Sequence, residues 1–302
     1  MSALARLLPI VLIGLAAGCG TPPPPSSMRG SPVSHDGSQV RFAVIGDYGL
    51  AGPDEAAVAE LVASWAPEMI ITLGDNNYPN GRADTIDDNV GQYYHAFIHP
   101  YAGRYGDGAD ENRFFPALGN HDWRTHGAWP YLEYFTLPGN ERYYEHVWGP
   151  VHLFAIDSDR EEPDGIDPHS VQGQWLRERL AASHGAWKVV YMHHAPYSSG
   201  DHGSSEMLRW PFAQWGADLV LAGHDHHYER LAIDGIVYVV NGLGGNPERY
   251  QLRNTLPGSA VRWNGEHGAM VIEASTGRLE LRFVTVSGRE VDRHVLLRES
   301  PA

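Results

Sequence analysis

Short apolar runs recur along the chain, and turn-forming residues bound most of them. Runs of this length with Gly, Asp or Pro at their ends predict buried β-strands. Two of the runs flank Gly149-Pro150 and are predicted to pair around it. The predicted strands before the C-terminal part are residues 41–45, 69–73, 114–118, 143–148, 151–156, 188–192 and 218–222.

Helical spacing of apolar residues occurs at 54–65, behind Pro53, and at 171–182. Residues 80–108 are predicted to form a long loop, close to the side chains that follow the first two strands. Strands that alternate with helices and then follow one another predict an α/β fold, a mixed β-sandwich flanked by helices. The run of strands in the C-terminal part, which we expect to be antiparallel, comprises residues 235–240, 269–273, 279–285 and 290–297.

The N-terminal segment differs in composition from the rest of the chain. Arg6 precedes an apolar run at 7–15, and three small residues lead to Cys19, the one cysteine in the sequence. This order is typical of a signal peptide, and its end looks like a bacterial lipobox at which Cys19 would be acylated. An ordinary signal peptide with an incidental Cys19 is the alternative.

Three segments follow from this pattern: a signal peptide with lipobox at 1–19, a Pro/Ser-rich tether at 20–38 and one folded domain at 39–298. We therefore expect an exported protein, held on a membrane through a lipid anchor alone, in the periplasm or at the cell surface.

Charge narrows the possible partners. The formal net charge is −15 at pH 7, with 22 Lys and Arg against 37 Asp and Glu. Long-range repulsion opposes an encounter with nucleic acid or an anionic membrane surface, so neither is predicted as a partner. An anionic substrate would need a local concentration of positive charge, which bound cations supply most simply. The 17 histidines favour a metal protein.

Side chains that can bind a metal follow five of the predicted strands. In open α/β sheets the loops at the carboxyl ends of the strands form the ligand site, so these side chains are expected to converge. Taken singly, an Asp-Gly turn or a packed histidine explains most of them. The five segments are Gly46-Asp47-Tyr48-Gly49, Gly74-Asp75-Asn76-Asn77-Tyr78, Gly119-Asn120-His121-Asp122, His193-His194 and Gly223-His224-Asp225-His226-His227.

Together the five segments are specific. Carboxylate, amide oxygen and imidazole suit hard or borderline ions, and without thiolates they exclude an iron–sulfur cluster or a Cys-zinc site. The number of candidate metal ligands exceeds what one ion needs. We therefore predict two ions that share a bridging carboxylate, an arrangement that serves in-line displacement at phosphorus.

The same segments resemble the motifs GDxG, GDxxY, GNH(D/E), VxxH and GHxH of the metallophosphoesterase superfamily, and within it the purple acid phosphatases. The fourth motif is Val190-Tyr191-Met192-His193, and the resemblance spans residues 41–230. Tyr78 singles out the purple acid phosphatase branch. The chain is similar in size to the small single-domain type, here of a bacterial kind, and the resemblance implies a metallophosphoesterase domain at 39–298.

The resemblance also implies the role of each side chain at the first ion. Asp47, Tyr78 and His226 would hold it, and it is expected to be Fe(III) because phenolate is a hard anionic donor. Asp75 would bridge the two ions.

At the second ion, expected to be Fe(II), Zn(II) or Mn(II), the resemblance implies Asn120, His193 and His224. His193 is chosen over its neighbour His194 because it completes the VxxH motif.

The implied reaction is that of an acid phosphatase: hydrolysis of small phosphate monoesters by hydroxide bound to the two ions. His202 and His121 match histidines beside the metals, and either in its protonated form could donate a proton to the departing alkoxide. Surface histidines on polar loops are the alternative for both. The alternative functions are a phosphodiesterase or nucleotidase with the same metals, and a surface lipoprotein that kept the fold for binding.

Overall fold

The computed structural model describes residues 39–185 and 187–298. This part of the chain contains two β-sheets with helices between their strands. The predicted signal peptide and tether lie outside these residues. In chain order the strands are Gln39–Ile45 (β1), Met69–Thr72 (β2), Phe114–Pro116 (β3), Tyr144–Trp148 (β4), Val151–Ala155 (β5), Trp187–Tyr191 (β6), Leu219–Ala222 (β7), Tyr228–Ile233 (β8), Ile236–Asn241 (β9), Ser259–Trp263 (β10), Gly268–Ser275 (β11), Arg278–Thr285 (β12) and Glu290–Leu297 (β13).

The α-helices are mostly short. They are Pro53–Ser64 (α1), Gln92–Tyr94 (α2), Asn120–Trp123 (α3), Trp129–Tyr134 (α4), Val171–Ala182 (α5) and Phe212–Trp215 (α6). A π-helical turn covers Asp87–Gly91, and 3₁₀ turns cover His95–Phe97, His126–Ala128 and Glu206–Leu208. Within the described residues, no helix has the length and apolarity that crossing a membrane requires.

The two sheets place the predicted motifs at one edge. The strand orders are β13-β12-β11-β1-β2-β3 and β10-β8-β9-β7-β6-β5-β4. Strands β1, β2 and β3 are mutually parallel, and so are β5, β6, β7 and β9. Parallel strands end at the same edge of their sheet, so each set of following loops lies side by side.

The sheets pack face to face over a shared apolar core. Alternate residues of β6 face opposite ways: Val189 belongs to the core between the sheets, and Val190 packs with Leu176 of α5 on the outer side. Hydrogen bonds also cross between the sheets, since the Tyr191 hydroxyl donates to the Phe115 carbonyl and Trp187 Nε1 donates to the Ser275 carbonyl. With α1 against β11 and α5 over the other sheet, the predicted helix-flanked mixed β-sandwich is confirmed.

Some local predictions were wrong. Strands β8 and β10 were not predicted, and β9 pairs antiparallel with β8 but parallel with β7. The predicted loop at 80–108 contains helical turns. In this segment the half-buried carboxylate of Asp87 accepts hydrogen bonds from the hydroxyls of Tyr101 and Tyr134.

Candidate metal centre

Three of the predicted metal ligands have left-handed backbone conformations. The φ angles are 56° at Asp47, 55° at Asp75 and 70° at His224. Asp and His enter this region more readily than most residues, but each such residue still costs on the order of 1–3 kcal/mol. The turns directly after β1, β2 and β7 are therefore strained, and they direct these side chains to the common edge.

Two motif glycines allow the loops to approach each other. A Cβ atom at Gly119 would overlap the backbone nitrogen and carboxylate of Asp75. At Gly74, with φ of 85°, a Cβ atom would lie 2.6 Å from Nδ1 of His193. Glycine is required at both positions because any side chain would push apart the segments that carry the predicted ligands.

The residues predicted for the first ion form one contact group. The Tyr78 hydroxyl lies 2.8 Å from Asp75 Oδ2, 3.3 Å from Asp47 Oδ1 and 3.3 Å from His226 Nε2. His226 Nε2 is 3.4 Å from Asp47 Oδ1. All four side chains are buried.

The residues predicted for the second ion form a neighbouring group. His193 Nε2 lies 2.9 Å from Asn120 Oδ1, 3.1 Å from His224 Nδ1 and 3.4 Å from Asp75 Oδ1. The two oxygens of Asp75 thus face different groups. The structure brings all seven predicted side chains together, although their assignment as ligands stays a prediction.

The donor chemistry of these groups fits bound cations. His193 Nδ1 lies 2.8 Å from the Leu73 carbonyl, and His226 Nδ1 lies 2.7 Å from the Glu248 carbonyl. A neutral imidazole that donates from Nδ1 presents a lone pair at Nε2, and both Nε2 atoms point at carboxylate or amide oxygens. Facing acceptors repel one another unless a proton or a metal cation lies between them.

The buried charges of the cluster shift the pKa values of several of its side chains. Burial raises the pKa of Tyr78 well above its usual value, and Asp75 and Asp47 raise it further. Burial lowers the pKa of His193, but Asp75, Asp47 and the hydrogen bond to the Leu73 carbonyl act with Asp122 to raise the pKa overall. Burial lowers the pKa of His224, and the neighbouring His193 adds to this. A phenol beside two buried carboxylates ionises only if positive charge is added.

His194 lies at the margin of the cluster. Its Nδ1 is 3.0 Å from the Ser158 hydroxyl, and burial, followed by His193, lowers its pKa to about 3. His193, His194 and His224 have ring nitrogens within 4.8 Å of one another, as do ligand atoms of Asp47, Asp75 and His193. His193 belongs to both sets, which favours it over His194.

The two histidines predicted to act on the substrate flank the cluster. The backbone N–H of His121 donates to Asp75 Oδ1 at 2.9 Å, and its ring centre is 4.3 Å from that of Tyr78. The His202 ring stacks on His224 at 4.2 Å. His194, His202 and His224 line one side of a cavity of about 660 Å³. An ester bound at the cluster therefore has room on the His202 side.

A buried polar network under the site was missed by the sequence analysis. Asn76 Oδ1 accepts hydrogen bonds from Tyr48 at 2.9 Å and Thr72 at 2.6 Å, and its Nδ2 donates to Asp122 and to the Ala117 carbonyl, both at 2.8 Å. Burial, followed by Asp75, raises the pKa of Asp122 to about 7. Both residues stand inside predicted motifs, but nothing in the sequence shows that their side chains point away from the metals.

A second missed feature is the loop between β9 and β10, residues 242–258. The Asn246 N–H donates to the Asp47 carbonyl at 3.0 Å, and the Glu248 carbonyl contacts His226. The available signal was a Gly-rich segment, Gly242-Leu243-Gly244-Gly245, directly after an apolar strand.

Known proteins resemble this chain in sequence and in fold. Residues 40–228 match the calcineurin-like phosphoesterase family. The chain is 25% identical over 256 residues to purple acid phosphatase 17 of Arabidopsis thaliana, covering 72% of each protein. It is 24% identical to tartrate-resistant acid phosphatase type 5 of Rattus norvegicus, covering 94% of each.

Two solved structures share the fold. Purple acid phosphatase PPD1 of yellow lupin superposes with a TM-score of 0.71 at 17% identity, over 87% of this chain and 54% of the lupin chain. GAP50, described as the anchor in the inner membrane complex of Plasmodium, gives a TM-score of 0.67 at 17% identity, over 87% of this chain and 90% of that one.

We predict that Asn76→Ala destabilises the protein by about 3 kcal/mol or more, because it leaves several buried donors and acceptors unpaired at ~1–3 kcal/mol each. Urea denaturation measures the change. Asn80→Ala removes the same side chain from an exposed position on the same segment and should change stability by less than about 0.5 kcal/mol. Equal stability of the two variants would contradict a supporting role for the network.

Proposed function

Because the chain belongs to the calcineurin-like phosphoesterase family, whose members use two metal ions, we propose that it is an acid phosphatase with a dinuclear centre that hydrolyses phosphate monoesters. Metal-dependent hydrolysis of phosphoric esters is common to the family. The observation that carries the finer proposal is Tyr78, whose hydroxyl lies within 3.3 Å of Asp47, Asp75 and His226.

Asp75 supports the presence of two ions. Its Oδ2 faces Tyr78 at 2.8 Å and its Oδ1 faces His193 at 3.4 Å, so one carboxylate serves both contact groups. Bound there, the ions would neutralise phosphate charge and activate the attacking water. The proposed ligands are Asp47, Tyr78 and His226 for the first ion, Asn120, His193 and His224 for the second, and Asp75 for both.

We assign Fe(III) to the first ion and Fe(II), Zn(II) or Mn(II) to the second. Tyr78 sits between two carboxylates that oppose its ionisation. A trivalent ion compensates that opposition more strongly than a divalent one, because the Coulomb energy grows with charge. Asn120 and two imidazoles carry no formal charge and suit a divalent ion.

The cavity of about 660 Å³ beside His202 is the proposed position of the alcohol part of the ester. A cavity of this volume admits a small-molecule substrate. His202 lies at its edge, stacked on a proposed ligand of the second ion, so it can reach the leaving oxygen of a phosphate held at the centre. His121, beside Asp75 and Tyr78, is the proposed second contact to the phosphate.

Two other functions are compatible with the same fold. A phosphodiesterase or nucleotidase would act at the same metals. The second alternative is a surface lipoprotein that kept the fold for binding, and the fold likeness to GAP50, described as an anchor, is in line with it. The presence of the whole set of seven side chains favours an enzyme, because a protein that only binds a partner does not need them.

We expect Asp75→Ala to lose both metal ions and at least about 10³-fold in kcat, because the bridging carboxylate serves both ions. Metal analysis and assays with an aryl monoester and an aryl diester check this. The wild type should prefer the monoester. A diester preference would favour the phosphodiesterase alternative, and full metal occupancy in Asp75→Ala would refute the bridge.

His202→Ala should reduce hydrolysis of alkyl phosphates strongly and of aryl phosphates with acidic leaving groups mildly, because a good leaving group needs no proton. A ratio of about 10²-fold between the two losses is expected from the usual size of general acid catalysis. The readout is kcat/KM on both substrate types. Equal losses would leave His202 with a positioning role only.

We also propose that the chain is an exported lipoprotein, with the bounds 1–19, 20–38 and 39–298 given above. The support is the order of residues before Cys19. Replacing Cys19 by Ser removes the acylation site and should move the protein from the membrane to the soluble fraction. Wild-type protein that is already soluble on fractionation, or a Cys19→Ser variant that stays on the membrane, would rule out the anchor.

A further inference from the structure

Tyr250, in the 242–258 loop, touches the two histidines on which binding and protonation are proposed to depend. Its ring stacks on His226 with centres 4.2 Å apart and an interplanar angle of 4°. The same ring meets His202 edge-on, with centres 4.9 Å apart. Both contacts lie in the favourable range for aromatic pairs.

The backbone fixes the position of this ring. The Tyr250 N–H donates to the His226 carbonyl at 3.0 Å, and the Glu248 carbonyl, two residues earlier, faces His226 Nδ1 at 2.7 Å. His226 is thus held by the loop at its backbone, at its Nδ1 atom and across one ring face. The remaining nitrogen, Nε2, points at Asp47 and Tyr78.

The loop is also fastened to the segment that carries His202. The Arg253 N–H donates to the Ser199 carbonyl at 3.0 Å, and the Arg253 guanidinium pairs with Asp201, next to His202. On its other side, His202 stacks on His224. A chain of ring contacts therefore runs from His226 through Tyr250 and His202 to His224, and so joins the proposed ligand sets of both ions.

We propose that Tyr250 is a positioning residue that holds the metal ligand His226 and the proton donor His202 in one fixed relation. The proposal rests on the proposed function for these two histidines. The aromatic ring performs this role through its faces and edge. Tyr250→Phe should therefore behave as the wild type, whereas Tyr250→Leu, which keeps the backbone hydrogen bond, should not.

Two measurements on the active enzyme test the contacts of Tyr250, one with His202 and the other with His226. Loss of ring support at His202 should raise the ratio of aryl to alkyl kcat/KM by roughly tenfold in Tyr250→Leu, because small displacements of a catalytic group cost up to about 10²-fold. Displacement of His226 changes the surroundings of the first ion and should shift the visible absorption of the iron-loaded protein. Tyr250→Phe should leave both readouts unchanged.

A matched control separates positioning from stability. Tyr143 is also a tyrosine whose ring packs against an aromatic partner, Trp175, with ring centres 5.0 Å apart, and its hydroxyl donates to Asp164. Tyr143→Leu should lower the melting temperature and leave the substrate ratio and the absorption band unchanged. If Tyr143→Leu moves them as much as Tyr250→Leu does, the effect is one of general stability and the proposal is overturned.

Proton NMR of the metal-free protein tests the contact without catalysis. The ring of Tyr250 should shift the ring-proton resonances of both His226 and His202, and Tyr250→Leu should remove both shifts. Unchanged resonances would overturn the proposal. Wild-type protein that hydrolyses no phosphate ester would instead refute the proposed function. The NMR result would then still test whether Tyr250 positions His226 and His202.

Discussion

Two buried carboxylates, Asp47 and Asp75, share one small volume with a phenol and three imidazoles. The ion-pair partners found for them among the described residues are histidines. Carboxylates taken out of water without compensation cost several kcal/mol each. The left-handed turns at Asp47, Asp75 and His224 add strain of their own. Bound cations would offset both costs, and the surrounding structure holds these side chains together.

The surrounding structure meets that need in layers. Glycines at 74 and 119 let the loops approach, and Asn76 joins the β2 loop to Asp122 under the site. The 242–258 loop closes the side of His226. Bound cations also explain how a chain with a net charge of −15 binds a phosphate ester, because they supply the positive charge where the substrate meets the protein.

Much of this was predictable because strand ends and metal chemistry leave local traces. Apolar runs that end in Gly-Asp, Gly-Asn or Gly-His located Asp47, Asp75, Asn120, His224 and His226. His193 follows Met192 directly and was chosen, like Tyr78, from the resemblance to the family motifs. The edge strand β10 left no such trace, because its residues alternate between half-buried and exposed. Tyr250 was missed for a different reason: its contacts with His226 and His202 are long-range, and no local pattern distinguishes it from other loop tyrosines. Asn76 is similar, since its role depends on Asp122, 46 residues away.

The most direct test of the account is metal analysis with a visible spectrum, made on wild-type protein and on Tyr78→Phe. Two ions per chain and a visible absorption band are expected, because phenolate bound to Fe(III) absorbs by charge transfer. The band should vanish in Tyr78→Phe while iron stays bound through Asp47, Asp75 and His226. Iron-loaded wild-type protein without colour, or colour that survives in Tyr78→Phe, would contradict the assignment of Tyr78 as a ligand and of the centre built around it.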